Sequence, residues 1–249
     1  QQYLDFLNRE PDESGFNFWV NNIESCGADA ACHEVKRIDT SAAFFLSIEF
    51  QQTGYLVERT YLAAFGDLAN APVPLKLSEF KLDTQEIGKG VIVNQTGWET
   101  KLENNKQAFM SEFVQRARFV SAYPTTMSPD QFVDALFINA GVTPTPSDRT
   151  VAVSEFGQAT TASSTAARAH ALRDVAENST LAGHEFNRAF VLMQYFGYLR
   201  RDPNATPNTD FSGYDFWLTK LDAFNGSFRN AEMVKAFLSS TEYRQRFPR

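Results

Sequence analysis

The sequence is short of cysteine, histidine and basic charge, and each shortage narrows what the chain can be. Only two cysteines occur among 249 residues, Cys26 and Cys32 in "SCGADAACHE". Their separation excludes the CxxC pattern of redox and zinc motifs, and only His33 lies near enough to join them as a ligand. A disulfide closing a small loop is expected, with two free thiols as the alternative, and the disulfide would place the protein in an oxidising compartment. The three histidines, His33, His170 and His184, stand in no HExxH pattern, and GxSxG, GxxxxGK[ST] and GxGxxG spacings are lacking as well. With no hydrolase, metalloprotease or phosphate-cradling signature, the chain reads as non-enzymatic. The net charge of −7 supplies no basic field to neutralise phosphates, which argues against nucleic acid and against an anionic membrane surface as partners. No apolar run is long enough to cross a bilayer, the longest being of the kind "AAFF" and "GVIV".

The chain is rich in phenylalanine. With 43% hydrophobic and 21% charged residues the composition is that of a folded protein, and 23 Phe suggest several small cores packed around rings. The length suits one large or two ordinary domains.

Two distant stretches say nearly the same thing. "QYLDFLNREP" (2–11) aligns with "QYFGYLRRDP" (194–203), bringing Arg9 onto Arg201 and Pro11 onto Pro203. A residue before proline is driven from the α region, so Glu10 and Asp202 are expected to close a helix. "SGFNFW" and "SGYDFW" follow, with Ser14 and Ser212 as expected N-caps, Gly15 and Gly213 next, Asn17 and Asp215 as capping-box returns, and Trp19 and Trp217 entering the next helix. Further on "AFFLSIEFQQ" (43–52) matches "AFLSSTEYRQ" (236–245), with Ser47/Ser240, Glu49/Glu242 and Phe50/Tyr243 in step. The Ser-x-Glu-aromatic tag reads as a cap followed by a final turn, its glutamate a surface acid near the positive end of the helix rather than a catalytic group.

Two weaker copies lie between. One runs from "YLVERTYLAAFG" through Trp98; the other opens at "SPDQFVDALF", where Ser128, Pro129 and Gln131 form a strong helix start, and continues through a helical period at Ala171, Leu172, Val175 and Ala176. The expectation is therefore an all-α chain of tandem helical repeats, about four units of roughly sixty residues that stack to bury faces none could bury alone. Their bounds are 1–60, 61–126, 127–189 and 190–249. The second carries a long irregular insertion at 67–97, with a short extended segment at Val91–Val93. "GQATTASSTA" (157–166) reads as a linker or an exposed loop. The opening residues align with the interior of a helix, so further protein upstream is expected.

The phrase "YLDFLNREPDESGFNFW" followed by "SAAFFLSIEF", repeated in the last part of the chain, resembles the bacterial domain-of-unknown-function 4214 family. The resemblance implies an all-helical module, distantly similar to phycobilisome linker domains, in secreted or surface-attached proteins beside calcium-binding and adhesive repeats. It implies no enzymatic activity. The insertion and the Cys26/Cys32 loop depart from the family signature.

The metal candidate is "DPNATPNTDFSGYD". The second copy has about six more residues between Pro203 and Ser212 than the first has between Pro11 and Ser14, which adds Asn204, Thr206 and Asp210 after Asp202. Alternating oxygen side chains could hold calcium, although an Asx- and Pro-rich turn with capping residues is the favoured reading and the loop lacks the EF-hand glycine and final glutamate. Apart from calcium no cofactor is expected. N-x-Ser/Thr sequons stand at Asn94, Asn178, Asn204 and Asn225. The leading functional expectation is a non-catalytic scaffold, secreted or at the cell surface, that assembles with itself or docks protein partners. The alternative is a carbohydrate- or protein-binding adhesive module using Trp19, Trp98 and Trp217, and a hydrolase site around Asp83, Glu86 and Glu99 is a third reading.

Overall fold

The computed structural model describes residues 1–247. Every regular element among them is helical, as expected. In chain order these are α1 (Gln2–Phe6), α2 (Glu13–Glu24), α3 (Ala30–Leu46), α4 (Ile48–Gln52), α5 (Gly54–Phe65), α6 (Leu77–Gly88), α7 (Trp98–Phe113), α8 (Ala117–Ala122), α9 (Pro129–Asn139), α10 (Pro146–Ser154), α11 (Thr165–Ala176) and α12 (Ser179–Met193). A π-helical turn, Gln194–Leu199, then leads to α13 (Ser212–Ala223), α14 (Met233–Ser239) and α15 (Thr241–Gln245). The chain forms two compact units, one of Gln1–Gln52 with the residues from Asn187 on, the other of Thr53–Phe186. The two strongly matching copies thus lie in one unit.

That first unit packs α1 and α14 on α3, and α1 and α14 on the π-helical turn. Its core is a relay of edge-on rings: Phe6 stands 5.2 Å from Tyr198 and 6.1 Å from Phe50, and Tyr198 stands 5.6 Å from Tyr243. Edge-to-face geometry sets the positive ring edge on a negative face, so such pairs add specificity to the area they bury.

Local details correct two expectations. Glu10 and Asp202 do not close the helices; Asn8 at φ 52° and Arg200 at φ 58° do so earlier, in the left-handed conformation that ends a helix. Nor is Ser14 the N-cap of α2, for Asp12 takes that place and accepts from the Gly15 N–H at 2.8 Å and from the Ser14 hydroxyl at 2.7 Å. In the second copy Phe211 holds the N-cap position of α13 and Asp210 before it accepts from the Ser212 N–H at 2.9 Å and hydroxyl at 2.6 Å. A carboxylate two residues before the serine is the stronger acceptor, and it reaches the orphan N–H groups first. Asn17 and Asp215 make no capping return.

The second unit is built around α5, whose residues Gly54 to Ala64 are all buried. The helix is buried on every side, its Glu58 and Arg59 included, and α6, α9 and α11 supply the cover. The expected start of α9 is present: Ser128 Oγ accepts from the Gln131 N–H at 3.2 Å, and Gln131 Oε1 accepts from the Ser128 N–H at 3.0 Å. Thr145 and Asp148 repeat this box at the start of α10.

The stretch 67–97 is not irregular throughout, which corrects the reading of it as a loose insertion. Leu77–Gly88 is α6, with Phe80, Asp83, Thr84 and Ile87 buried on one face. Val91–Val93 forms turns rather than an extended segment, with Val91 itself fully buried. The stretch 157–164 is a loop inside the second unit, where Ala162 is buried and its N–H donates to the Met127 carbonyl at 2.7 Å, and Thr165 already begins α11.

Candidate functional site

The matching residues of the two copies make matching contacts. Arg9 donates from Nε to Glu49 Oε1 at 2.7 Å and from Nη2 to Oε2 at 2.8 Å. Arg201 donates likewise to Glu242, at 2.5 and 3.1 Å. Each guanidinium lies over a tyrosine ring, Arg9 at 4.9 Å from Tyr3 and Arg201 at 5.3 Å from Tyr195. Tyr3 meets Phe44 edge-on at 4.8 Å and Tyr195 meets Phe237 at 5.2 Å, while Trp19 and Trp217 approach the same two phenylalanines, each at 5.7 Å. Ser47 and Ser240 both accept at Oγ from the aromatic residue three positions on, Phe50 or Tyr243, at 3.1 Å, which is the cap and final turn expected of the tag. Glu49 is not the surface acid that was expected, since it is 5% exposed and held by Arg9. The signature residues, with Pro11 and Pro203 in the turns, are therefore the framework of a module.

The copies part company on one face. In the second, Tyr214 of α13 is 1% exposed and its hydroxyl donates to the Arg188 carbonyl of α12 at 3.2 Å. In the first, its counterpart Phe16 is 51% exposed and α2 has no buried residue at all. Beside it lies an open groove of about 850 Å³ in the first unit, running between α3 and the α14–α15 segment. Ile23, Ile38, Leu238 and Tyr243 give it an apolar lining, with Arg37, Lys235 and Arg244 among its charged residues. Lys235 pairs with Glu34 at 3.2 Å. Arg37 and Arg244 are exposed and make no ion pair among the described residues.

The disulfide expected between Cys26 and Cys32 is present. It closes the loop that leads into α3, where Asp29 Oδ1 accepts from the Ala31 and Cys32 N–H groups and His33 Nε2 lies 2.7 Å from the Gly27 carbonyl. Gly27, Ala28 and His33 also line the groove, so the bridge fixes one of its ends.

In the Asp202–Asp210 loop, Arg201 Nη1 donates to the carbonyls of Asp202, Pro203 and Ala205 at 3.1 to 3.2 Å. Asp210 turns to Ser212, whose hydroxyl and then N–H hold its carboxyl below the usual carboxylate range. Asn204 and Thr206 are exposed, and among the described residues no three His, Cys, Asp or Glu side chains form a metal-binding group. A guanidinium thus already occupies the carbonyl-lined side of this loop.

The remaining candidates lie apart. Asp83 is buried in the second unit, accepting from Arg116 Nη1 at 2.7 Å and Nη2 at 2.8 Å and from the Tyr61 hydroxyl at 2.8 Å, while Glu86 and Glu99 are exposed. The three are not gathered in a cleft. Trp19, Trp98 and Trp217 are all half-buried. Phe18 and Phe216 stack edge-on against Trp19 and Trp217 at 4.9 and 5.0 Å and are 62% and 57% exposed. One group without a sequence signal is Asp174 of α11, whose Oδ2 is buried without a hydrogen-bond partner. Burial, then the neighbouring Glu155 charge, pushes its carboxyl up to about 6. No protein-family model, curated protein or solved structure matches the chain.

Proposed function

We propose that the chain is a non-catalytic scaffold module, secreted or at the cell surface, that makes protein contacts, including contacts with copies of itself. The groove of the first unit carries this reading: an apolar lining open to solvent, with two unpaired guanidinium groups in a chain of net charge −7. An open apolar cleft with fixed charges at its edge suits a partner surface with acids around an apolar anchor. The Cys26–Cys32 bridge supports the oxidising location. The likeness of the repeated Arg/Pro/Trp and Ser-x-Glu-aromatic signature to the domain-of-unknown-function 4214 family supports a surface scaffold role, and calcium enters this reading only as a condition to vary.

Light scattering on a sizing column, over a concentration series in calcium and again in chelator, tests it. A defined oligomer that grows with concentration is expected if copies engage one another. A monomer throughout removes self-assembly and leaves the docking of other proteins. The exposed rings of Phe18 and Phe216 favour a second reading, an adhesive module that stacks sugars on these rings. Tryptophan fluorescence unchanged across a panel of glycans would eliminate it.

A further inference from the structure

We infer that the groove seats an amphipathic helix of a protein partner, with an aromatic side chain placed over Leu238 and carboxylates facing Arg37 and Arg244. The inference rests on reading the groove as a protein-docking surface and adds what docks there. The second copy shows how such a face is covered. There the end of α12 lays Phe190 against Phe45 at 4.5 Å and against Phe228 at 5.8 Å. Asn187 of the same helix donates to Asp222 at 2.7 Å, and the Arg188 carbonyl accepts from Tyr214.

The signature alignment exchanges these positions between the two copies. Phe45 maps onto Leu238, Leu221 onto Ile23 and Gln194 onto Gln2. Phe45, Leu221 and Gln194 are wholly buried, whereas Leu238, Ile23 and Gln2 are half-buried and line the groove. Phe228, in the turn before α14, has no such counterpart, because Val35 lies within α3 and outside the groove lining. The groove is therefore the counterpart of the seat of Phe190, and a helix fills that seat in the twin.

Charge then selects the helix. Lys235 and Arg244 align with the uncharged Ala42 and Gln51, and with Arg37 in the lining and Glu34 paired to Lys235 the groove is left basic. Unpaired guanidinium groups bind carboxylates in a two-point fork, and an apolar anchor between them fixes the register. A helix with an aromatic anchor and acids on its flanks meets both requirements.

The test titrates the full chain with a helix-stapled peptide of the sequence Ser179–Met193 carrying Asn187→Glu and Arg188→Glu. The unaltered peptide, a Phe190→Ala form of the acidic peptide and polygalacturonate are titrated beside it. The acidic peptide is expected to bind about tenfold tighter than the unaltered one and to lose about tenfold with Phe190→Ala. Its affinity should fall with added salt, and by about a hundredfold in Arg37→Glu/Arg244→Glu protein. Binding indifferent to the anchor and to both arginines overturns the helix register while leaving protein docking elsewhere on the chain intact. Polygalacturonate binding that needs Arg37 and Arg244, with no peptide bound, overturns the helix and the protein-docking reading together. Self-association abolished by the same charge reversal assigns the groove to a second copy and overturns a separate helical partner.

Discussion

Arg9 and Glu49 stand about forty residues apart in sequence and meet through two hydrogen bonds, at 2.7 and 2.8 Å. Arg201 and Glu242 repeat the pair, but the side chains differ in cover: Glu49 is 6% exposed and Glu242 33%. A buried carboxylate left without its partner is costly, while a pair reached by water is worth little, so the two pairs are equal in geometry and unequal in energy.

Arg9→Ala should accordingly destabilise the protein by about 3 kcal/mol, because it takes two charge-assisted hydrogen bonds from a buried carboxylate. The Arg201–Glu242 coupling in a double-mutant cycle, which leaves out the bonds from Arg201 to the Asp202, Pro203 and Ala205 carbonyls, should be about 1 kcal/mol, because water can reach Glu242. Urea denaturation at constant slope reads both. Equal values would show that exposure does not separate the pairs.

The matching of Arg9 with Arg201 and of Glu49 with Glu242, the cap and final turn after Ser47 and Ser240, and the start of α9 were legible in sequence, because each depends on residues a few positions apart or on a near duplication; that each arginine binds its glutamate was not. Glu49 was misjudged because its burial is set by Arg9, far along the chain, and no local pattern reports that. The helix α6 was hidden by Pro72 and Pro74 before it and by a sparse apolar stripe, Phe80 and Ile87, that tertiary packing completes. The groove had no signal of its own, since its lining comes from both copies; only the difference between Lys235 and Ala42, or Arg244 and Gln51, hinted that the twins are not equivalent.

Close approach of chain to ring gives a second prediction. A Cβ at Gly197 would lie 2.5 to 2.9 Å from the Phe6 ring, which is packed on all sides. Gly197→Ala should cost about 2 kcal/mol by overpacking, and Phe6→Leu should recover part of it in the double variant. At Gly15 the nearest obstacle is the Tyr3 hydroxyl, the end of a half-buried side chain, with the Asp12 carboxylate oxygens next at 3.1 and 3.2 Å. Gly15→Ala should cost less, and Tyr3→Phe should remove most of that loss. Thermal melts of the two double variants check the couplings.

Asp174 makes stability depend on pH. Its carboxyl is raised from the ordinary value of 3.8 to about 6, so the folded protein holds a proton more firmly there than the unfolded chain does. That contribution is complete below about pH 4 and is lost as pH rises through about 6. Asp174→Asn should therefore be close to neutral at pH 4 and stabilising at pH 7 by about 1 kcal/mol, a figure reduced for the half-exposed position. Denaturation midpoints at both pH values decide it, and an Asn variant less stable at pH 7 would contradict the assignment.

The account turns on one asymmetry, an open groove in the first copy where the second is sealed by α12. Native-state labelling with a maleimide tests it most directly, on Ile23→Cys and its counterpart Leu221→Cys, with the Cys26–Cys32 bridge left oxidised. The cysteine at position 23 should react on the order of a hundredfold faster than the one at position 221, which is reached only by local opening. Equal rates would mean that the two faces are alike and that the groove is no docking site.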